Sequence, residues 1–351
     1  MSDALVGACA AAKDGEAVLA AVRAVLLARG RFSAAGLAPV VSMYTEVWEE
    51  ATVAYRGGSS MVSADARGGA ARAPDGDAAA ATASSSLRAW QRVVAAMLAN
   101  VERPPGDAAR AGDWAALVDA YGMVGKLRQA FAAFDEMLAA GVEATAEAYC
   151  ALARACRVAG QPKRAAKLLA HVEEESGAVA PAEIYGDVIA AAAAGGNADL
   201  AAATLAAFRA RGGEATEAMF AQVMSALADD FRLAEARAIW QEAMQRGFLR
   251  GPTTGLRHGH LHLEGLDLSP SATTLVLHDA LQLLRRRVLA NEVALPERLR
   301  VYHDAAARPH LRTVLQGMEP PLPARTRRGV KPYLHVDGED LVYFVTSGAA
   351  A

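Results

Sequence analysis

The sequence has few cysteines and no long uninterrupted apolar run, and each shortage excludes a class of protein. Its three cysteines, Cys9, Cys150 and Cys156, form neither a CxxC pair nor a recognisable disulfide framework. This usage favours buried thiols and a reducing compartment. The most apolar stretch, residues 188–205, is broken by two glycines, an asparagine and an aspartate. We therefore expect neither a disulfide-stapled secreted domain nor a membrane-spanning helix.

An excess of either charge is also lacking. The 351 residues include 36 basic and 39 acidic side chains, a formal net charge of −3. Residues 111–251 hold 13 basic and 18 acidic side chains, whereas residues 252–351 hold 12 and 10. This balance argues against a protein held to nucleic acid by bulk charge alone, because phosphate binding needs clustered basic side chains. The basic side chains are concentrated towards the C-terminus.

The N-terminal residues carry no clear targeting signal. An acidic residue, Asp3, stands where a secretory signal would have its basic region. The arginines at 23, 29 and 31 are compatible with an organellar transit peptide, but the segment is equally typical of an ordinary helix. A transit peptide is therefore not evident.

What the sequence does have is a repeat of about 35 residues, in units 111–145, 146–181, 182–216 and 217–251. The twentieth position of each unit is alanine, the twenty-fourth is large and apolar, and the seventh is leucine or valine. The fifteenth position is glycine in three units and Phe231 in the last. These spacings predict two amphipathic helices per unit with a glycine turn between them, stacked into an α-solenoid. The alanines are Ala130, Ala165, Ala201 and Ala236, and the large residues are Phe134, Leu169, Leu205 and Trp240.

This pattern resembles the pentatricopeptide repeat family. Residues 115–145 look like one unit almost throughout, with Phe134-Asp135-Glu136-Met137 as the strongest match. Tetratricopeptide repeats fit less well, because their early tryptophan and Leu-Gly pair are missing. The resemblance implies a mainly α, right-handed solenoid that binds single-stranded RNA in mitochondria or plastids. Residues 1–56 are interpreted as degenerate helical repeats, 57–84 as a disordered Gly/Ala/Ser-rich insertion, and 85–251 as the repeat block.

The positions with which such repeats contact bases carry unsuitable side chains. The fifth position usually holds a hydrogen-bonding side chain, yet two units have alanine there and one has glycine. The last position of each unit is no better, and the thirteenth offers no lysine for phosphate. We therefore expect poor base reading and a protein partner along the solenoid. The fifth positions are Ala115, Cys150, Gly186 and Ala221, and the last are Thr145, Pro181, Thr216 and Gly251.

The pattern changes after residue 251, and residues 252–351 predict a small α/β sandwich. Alternation within 256–268 and at 299–302 indicates strands, and Ser269-Pro270 opens a helix that extends to Arg287. A short helix is expected at 309–316. The Asp337-Gly338 pair predicts a hairpin joining strands at 333–336 and 341–345.

This segment resembles a small MutS-related (Smr) domain. Leu261-His262-Leu263-Glu264-Gly265-Leu266 stands where the family has Leu-Asp-x-His-Gly-Leu, and His303-Asp304-Ala305 replaces a Gly-x-Gly motif. The resemblance implies nucleic-acid binding and, in some members, endonuclease activity. Because both motifs are altered, His262, Glu264, His303 and Asp304 are only weak catalytic candidates. A divalent metal is expected only if the domain cleaves, and no other cofactor is expected.

Three alternating histidines offer another chemistry. His258, His260 and His262 would share one face of a strand, and Glu264 continues the row. Imidazole and carboxylate both bind zinc. Because no distant partner motif accompanies the row, structural or solvent-facing histidines are the preferred interpretation, and no metal site is predicted.

Basic side chains near the C-terminus are the predicted RNA contacts. One group ends the helix that begins at Ser269, and the other follows a proline-rich loop, with an aromatic ring nearby for stacking. A solvated helix end and a flexible loop would explain the same residues. The groups are Arg285, Arg286 and Arg287, and then Arg325, Arg327, Arg328, Lys331 and Tyr333.

These features favour an RNA-associated adaptor or scaffold in organellar RNA metabolism, without a membrane partner. Two alternatives stay open: an Smr-type RNA or DNA endonuclease, and a structural subunit of an organellar ribosome or another RNA–protein assembly. Catalysis is the less favoured outcome, because the motifs that would support it are altered.

Overall fold

A computed structural model shows a mainly helical chain with a small sheet near its C-terminus. The contacts divide it into two compact units between Ala215 and Thr216. In the part of the chain that is described, no helix is long and apolar enough to cross a membrane. The predicted 57–84 insertion and Cys9 lie outside that part. The structure describes residues 18, 22, 32–56, 88, 90–101, 104, 111–176, 179–248, 255–263, 268–303, 308–327 and 333–347.

The first unit begins with helix α1 (Ala34–Arg56), followed by a helical segment at 90–98. Trp90, Val93, Val94 and Met97 recur at helical spacing and are all fully buried, so they form one apolar face of this segment.

Three helical hairpins follow, at the positions that the 35-residue period predicts. The first helices of the hairpins, α2, α4 and α6, pack side by side, and each also packs on the second helix of its own hairpin. This stacking buries a continuous apolar layer that no single hairpin could cover. The helices are α2 (Ala111–Met123), α3 (Leu127–Ala139), α4 (Ala146–Val158), α5 (Pro162–Ser176), α6 (Ala182–Ala194) and α7 (Ala198–Ala210).

The turn inside each hairpin depends on a left-handed residue. Gly125 has φ 78°, and the Lys126 amide then donates to the Tyr121 carbonyl at 2.9 Å, which closes the end of α2. Gly160 and Gly196 occupy the same position in their units, with φ 61° and 66°. In the fourth unit Phe231 adopts φ 61° although it is not glycine. The left-handed turn is therefore present in this unit as well, with a different residue type.

Small residues set the spacing between the helices. The alanines at the twentieth position are all fully buried, as predicted. Gly122 in α2 lies so close to α4 that an added Cβ would stand 2.5 Å from the Ala155 Cβ. The chain therefore brings these two helices nearer than larger side chains would permit.

The second unit begins with a fourth hairpin, α8 (Glu217–Asp229) and α9 (Leu233–Gln245). A 3-10 turn (Leu256–His258) leads into a four-stranded mixed sheet of order β1-β2-β4-β3. β1 pairs with β2 in parallel, whereas β4 is antiparallel to both β2 and β3. The elements are β1 (His260–His262), α10 (Pro270–Leu289), β2 (Arg298–Tyr302), α11 (Arg308–Gln316), β3 (Arg325–Arg327), β4 (Tyr333–Asp337) and α12 (Gly338–Ser347).

Helix α10 joins this sheet region to the fourth hairpin. The Ser269 hydroxyl caps α10 by accepting from the Ala272 amide at 3.2 Å, and it donates to Asp229 of α8 at 2.9 Å. The Arg237 guanidinium of α9 donates to the Asp279 carboxylate at 2.8 Å. The predicted Ser269-Pro270 helix start is therefore confirmed, and its capping residue also holds α8.

Three predictions for the C-terminal region are wrong. The expected strand at 341–345 is helix α12, because Leu341, Phe344 and Val345 are buried at helical spacing while Tyr343 is exposed. Two acidic residues in the first turn also favour a helix start there. The basic segment at Arg325 is strand β3 rather than a loop. His258 lies in the 3-10 turn, so the predicted row of three strand histidines is only two.

Candidate nucleic-acid interface

The sheet separates two kinds of side chain. One side is aliphatic and buried, formed by Leu261, Leu299, Val301, Leu334 and Val336. Because side chains alternate along a strand, their neighbours point to the opposite side, and these neighbours are aromatic or charged. We call that side the aromatic-basic face; it comprises His260, His262, Arg298, Arg300, Tyr302, Arg325, Tyr333, His335 and Asp337.

A row of rings crosses three strands of this face. His262 of β1 is paired with Tyr302 of β2, and their ring centroids are 4.6 Å apart with planes 5° from parallel. Tyr302 is paired in turn with Tyr333 of β4, at 5.4 Å and 48°. All three side chains are half-buried. Cross-strand pairing therefore assembles a short ring stack outside the apolar core.

A second row places charge beside the rings. His260, Arg300, His335 and Arg325 are cross-strand neighbours from β1 to β3. The Arg300 guanidinium donates to His260 Nε2 at 3.4 Å, so the imidazole proton resides on Nδ1 and faces the Tyr302 hydroxyl at 3.2 Å. The His260 ring is therefore neutral, and it does not compensate the positive charge of Arg300.

His260 is held neutral by its surroundings. Burial lowers its pKa from the ordinary value of 6.5, and the positive charge of Arg300 lowers it further. His262 and His258 contribute in the same direction. The imidazole can therefore accept the hydrogen bond from Arg300 at neutral pH.

One carboxylate marks an end of the face. Asp337 lies 3.6 Å from the Arg298 guanidinium and 3.5 Å from that of Arg325. The side chains of both arginines are more than half exposed, at 61% and 78%. With Arg300, the face carries three guanidinium groups against one carboxylate, which makes it positive overall.

The structure distributes the predicted contact residues over two places. Arg325 and Tyr333 lie on the aromatic-basic face, and the backbone of Arg327 pairs with Tyr333. The Arg285 guanidinium instead lies 5.6 Å from the Phe344 ring of α12, and Arg286 is exposed on α10. Arg328 and Lys331 lie outside the described residues.

The structure describes two of the four weak catalytic candidates. His262 belongs to the ring row, and the His303 side chain is only 3% exposed. Glu264 and Asp304 lie outside the described residues. Among the residues that are described, no cluster of three or more His, Cys, Asp or Glu side chains could hold a metal.

Sequence reasoning missed Arg298, Arg300, Tyr302 and His335. The signal is present: Arg-Leu-Arg-Val-Tyr and Tyr-Leu-His-Val-Asp both alternate aliphatic with basic or aromatic residues. The alternation alone does not show that these basic and aromatic side chains lie together. That follows from the strand order, which places β1, β2 and β4 side by side.

Ion pairs join the first helices of neighbouring repeats, and threonines at the last position of two units cap the helix that follows. Arg154 of α4 donates to Asp119 of α2 at 2.7 Å, and Arg157 lies 2.9 Å from Asp187 of α6. The Thr145 and Thr216 hydroxyls accept the Ala148 and Met219 amides as helix caps. Ala115 and Ala221 are buried.

Of the two cysteines in the repeats, only Cys156 confirms the prediction of a buried thiol. Cys156 is fully buried and Cys150 half-buried, and neither forms a disulfide. Burial raises the pKa of each thiol to about 11, so both are protonated at neutral pH.

Comparison with known proteins identifies one repeat directly. The family model of the PPR repeat matches residues 114–142, so the chain contains a PPR repeat within its first clear unit. The pentatricopeptide repeat protein PPR10 from maize is similar in structure, with 16% identity and a TM-score of 0.41 over 99% of this chain. PPR10 in complex with an 18-nt psaJ RNA element aligns over 78% of this chain, with 18% identity and a TM-score of 0.41. This chain spans 49% and 35% of those two chains. No curated protein matches the sequence.

Proposed function

We propose that this chain is a PPR-type scaffold that contacts RNA through its C-terminal sheet and docks a protein partner along its repeats. The aromatic-basic face is the observation that carries the proposal. It combines three arginines with a row of rings, the two components that RNA-binding surfaces use for phosphates and bases. The resemblance to pentatricopeptide repeats supports a role in RNA metabolism within mitochondria or plastids.

The proposal gives the repeats little capacity to read bases. Alanine at the fifth position offers no hydrogen bond, and Ala115 and Ala221 are also buried. The hydroxyls of Thr145 and Thr216 are engaged in capping α4 and α8. Basic side chains between the first helices are neutralised by carboxylates, as in the Asp119–Arg154 pair. Each feature removes an interaction that a base or phosphate would need.

The same proposal treats residues 252–351 as a degenerate Smr-like domain that binds without cleaving. Its support is the placement of the motif residues. His262 is stacked against Tyr302, and His303 is buried. A hydrolytic site needs its acid, base or metal ligands within reach of one phosphate.

The test compares two sets of charge-removing substitutions in the full chain. The first is Arg298→Gln, Arg300→Gln and Arg325→Gln on the sheet. The second, as the matched control, is Lys126→Gln, Arg128→Gln and Arg164→Gln on exposed repeat surface. Binding of a labelled single-stranded RNA is measured over a salt series, and the RNA is then inspected for cleavage.

We expect the sheet substitutions to weaken binding and to reduce the salt slope by about 0.7 for each phosphate that is no longer neutralised. The repeat substitutions should leave both the affinity and the salt slope unchanged, and the RNA should stay intact. Loss of binding with the repeat set alone would overturn the proposal. Absence of RNA binding by the unaltered chain, or cleavage of the RNA, would also contradict it.

A further inference from the structure

The composition of the aromatic-basic face points to a ligand more specific than RNA in general. The opposite side of the sheet is entirely aliphatic, so the fold does not need rings at these positions to build a core. Three rings on neighbouring strands are nevertheless aligned in one row at centroid distances of 4.6 and 5.4 Å. Aromatic rings kept partly in solvent are suited to planar ligands.

We propose that the row His262–Tyr302–Tyr333 is a stacking platform for unpaired RNA bases, with Arg300 and its neighbours holding the adjoining phosphates. This inference rests on the proposed RNA-binding function and names the class of RNA that the face takes. A base extends the stack at either end of the row. At one end lies His262 on β1, an edge strand of the sheet, and at the other lies Tyr333 on β4, beside the backbone of Arg327 in β3.

The charges around the row define where the RNA backbone runs. Arg300 lies beside the ring row in the next cross-strand row, between His260 and His335. Asp337 stands a further step along β4 and would repel phosphate, so the backbone follows the side nearer Arg300 and the exposed Arg325. A short segment of a few nucleotides satisfies this geometry.

Duplex RNA does not suit the platform. Bases in a helix are already stacked on one another, and an A-form duplex presents only groove edges, phosphates and 2′-hydroxyls to a protein. Stacking on a ring requires an exposed base face. The platform therefore discriminates between strands by access to the base and is tolerant of base identity.

Ring-removing and ring-preserving substitutions test this directly in the full chain. Each of His262→Leu and Tyr333→Leu removes a ring, whereas His262→Phe and Tyr333→Phe keep one. The matched control is Tyr343→Leu, because Tyr343 is 61% exposed on α12, outside the ring row. Affinity for a labelled single-stranded RNA and for the same RNA annealed to its complement is measured, with circular dichroism to verify folding.

We expect each leucine variant on the row to bind the single strand roughly 5- to 150-fold more weakly, the range that one stacked base accounts for. The phenylalanine variants and Tyr343→Leu should bind as the unaltered chain does. The duplex should bind more weakly than the single strand and should be insensitive to the ring substitutions.

The outcomes separate this inference from the proposed function. If the unaltered chain binds single strand and duplex equally, and row variants match Tyr343→Leu, the stacking platform is refuted while charge-based RNA binding stands. If His262→Phe loses affinity as His262→Leu does, the imidazole acts through its nitrogen atoms and stacking at that end is refuted. If the unaltered chain binds no RNA, the proposed function itself fails.

Discussion

Single glycines in the repeats differ sharply in what surrounds them. A Cβ on Gly122 would stand 2.5 Å from the Ala155 Cβ and 2.9 Å from its Cα, so α2 and α4 would have to separate. We predict that Gly122→Ala lowers the free energy of unfolding by about 1–3 kcal/mol, the usual cost of overpacking. Chemical denaturation followed by circular dichroism measures the change.

Gly112 supplies the matched control on the same helix. It is exposed in the first turn of α2, and a Cβ there would meet nothing within 4 Å. Because alanine favours helix over glycine, Gly112→Ala should leave the free energy of unfolding unchanged or raise it by up to about 1 kcal/mol. Equal effects of the two substitutions would show that the close approach of α2 and α4 does not determine the loss of stability in Gly122→Ala.

The pKa of His260 is a property of a single residue that depends on the aromatic-basic face around it. Burial and Arg300 lower its pKa below 6.5, so the unfolded chain binds this proton more readily than the folded one. The stability that neutral His260 contributes is therefore lost as the pH falls through the ordinary histidine range. An NMR titration of the imidazole should show a midpoint below 6.5.

Arg300→Gln should raise that midpoint, because it removes the second-largest cause of the lowered pKa while burial persists. Arg286→Gln, on the exposed surface of α10, is the control and should leave it unchanged. A midpoint that is insensitive to Arg300→Gln would mean that the guanidinium does not face His260 as the 3.4 Å contact indicates.

At the scale of elements, the attachment of α10 to α8 depends on one serine. Ser269 caps α10. Its hydroxyl donates a hydrogen bond to Asp229 of α8, and its backbone amide donates one to the Ser225 hydroxyl of α8. We predict that Ser269→Ala lowers the free energy of unfolding by about 1–2 kcal/mol, the range that helix-cap losses show. Thermal or chemical denaturation of the full chain provides the measurement.

Ser271, in the first turn of the same helix, is the control. Ser271→Ala should change the free energy of unfolding by less than about 0.5 kcal/mol, because a surface substitution away from a cap has little effect. A loss at Ser271 equal to that at Ser269 would show that capping and the α8 contact do not distinguish the two positions.

Elements with a strong local signal are predictable from the sequence. The repeat helices follow from a period of 35 and from alanines that are fully buried, and α10 follows from its Ser-Pro start. The sequence predicts a strand in place of helix α12 because Asp337-Gly338 is a typical hairpin turn. The burial of Leu341, Phe344 and Val345 is what identifies the helix, and burial depends on contacts with β2 and β4.

The candidate site is only partly predictable for the same physical reason. Local composition identifies Tyr333 and Arg325, but it does not identify their partners Tyr302 and His335. Strand order and register bring these side chains together across intervening chain, 30 residues of it for the Tyr302–Tyr333 pair. A strand pattern gives the alternation of faces, yet it does not say which strands are neighbours.

At the scale of the whole molecule, charge and chemistry are divided along the chain. The repeat block is acidic and its first helices are joined by carboxylate–guanidinium pairs, whereas residues 252–351 carry a small basic excess. Protein contacts are assigned to the repeats, and RNA contacts are assigned to the aromatic-basic face.

Ultraviolet cross-linking of the full chain to a uridine-containing single-stranded RNA tests this central claim most directly. Adducts are located by peptide mass spectrometry after digestion of protein and RNA. We predict adducts at or beside His262, Tyr302 and Tyr333, where rings and bases would be in contact. Adducts confined to residues 111–248, with none on the sheet, would contradict the account and return RNA recognition to the repeats.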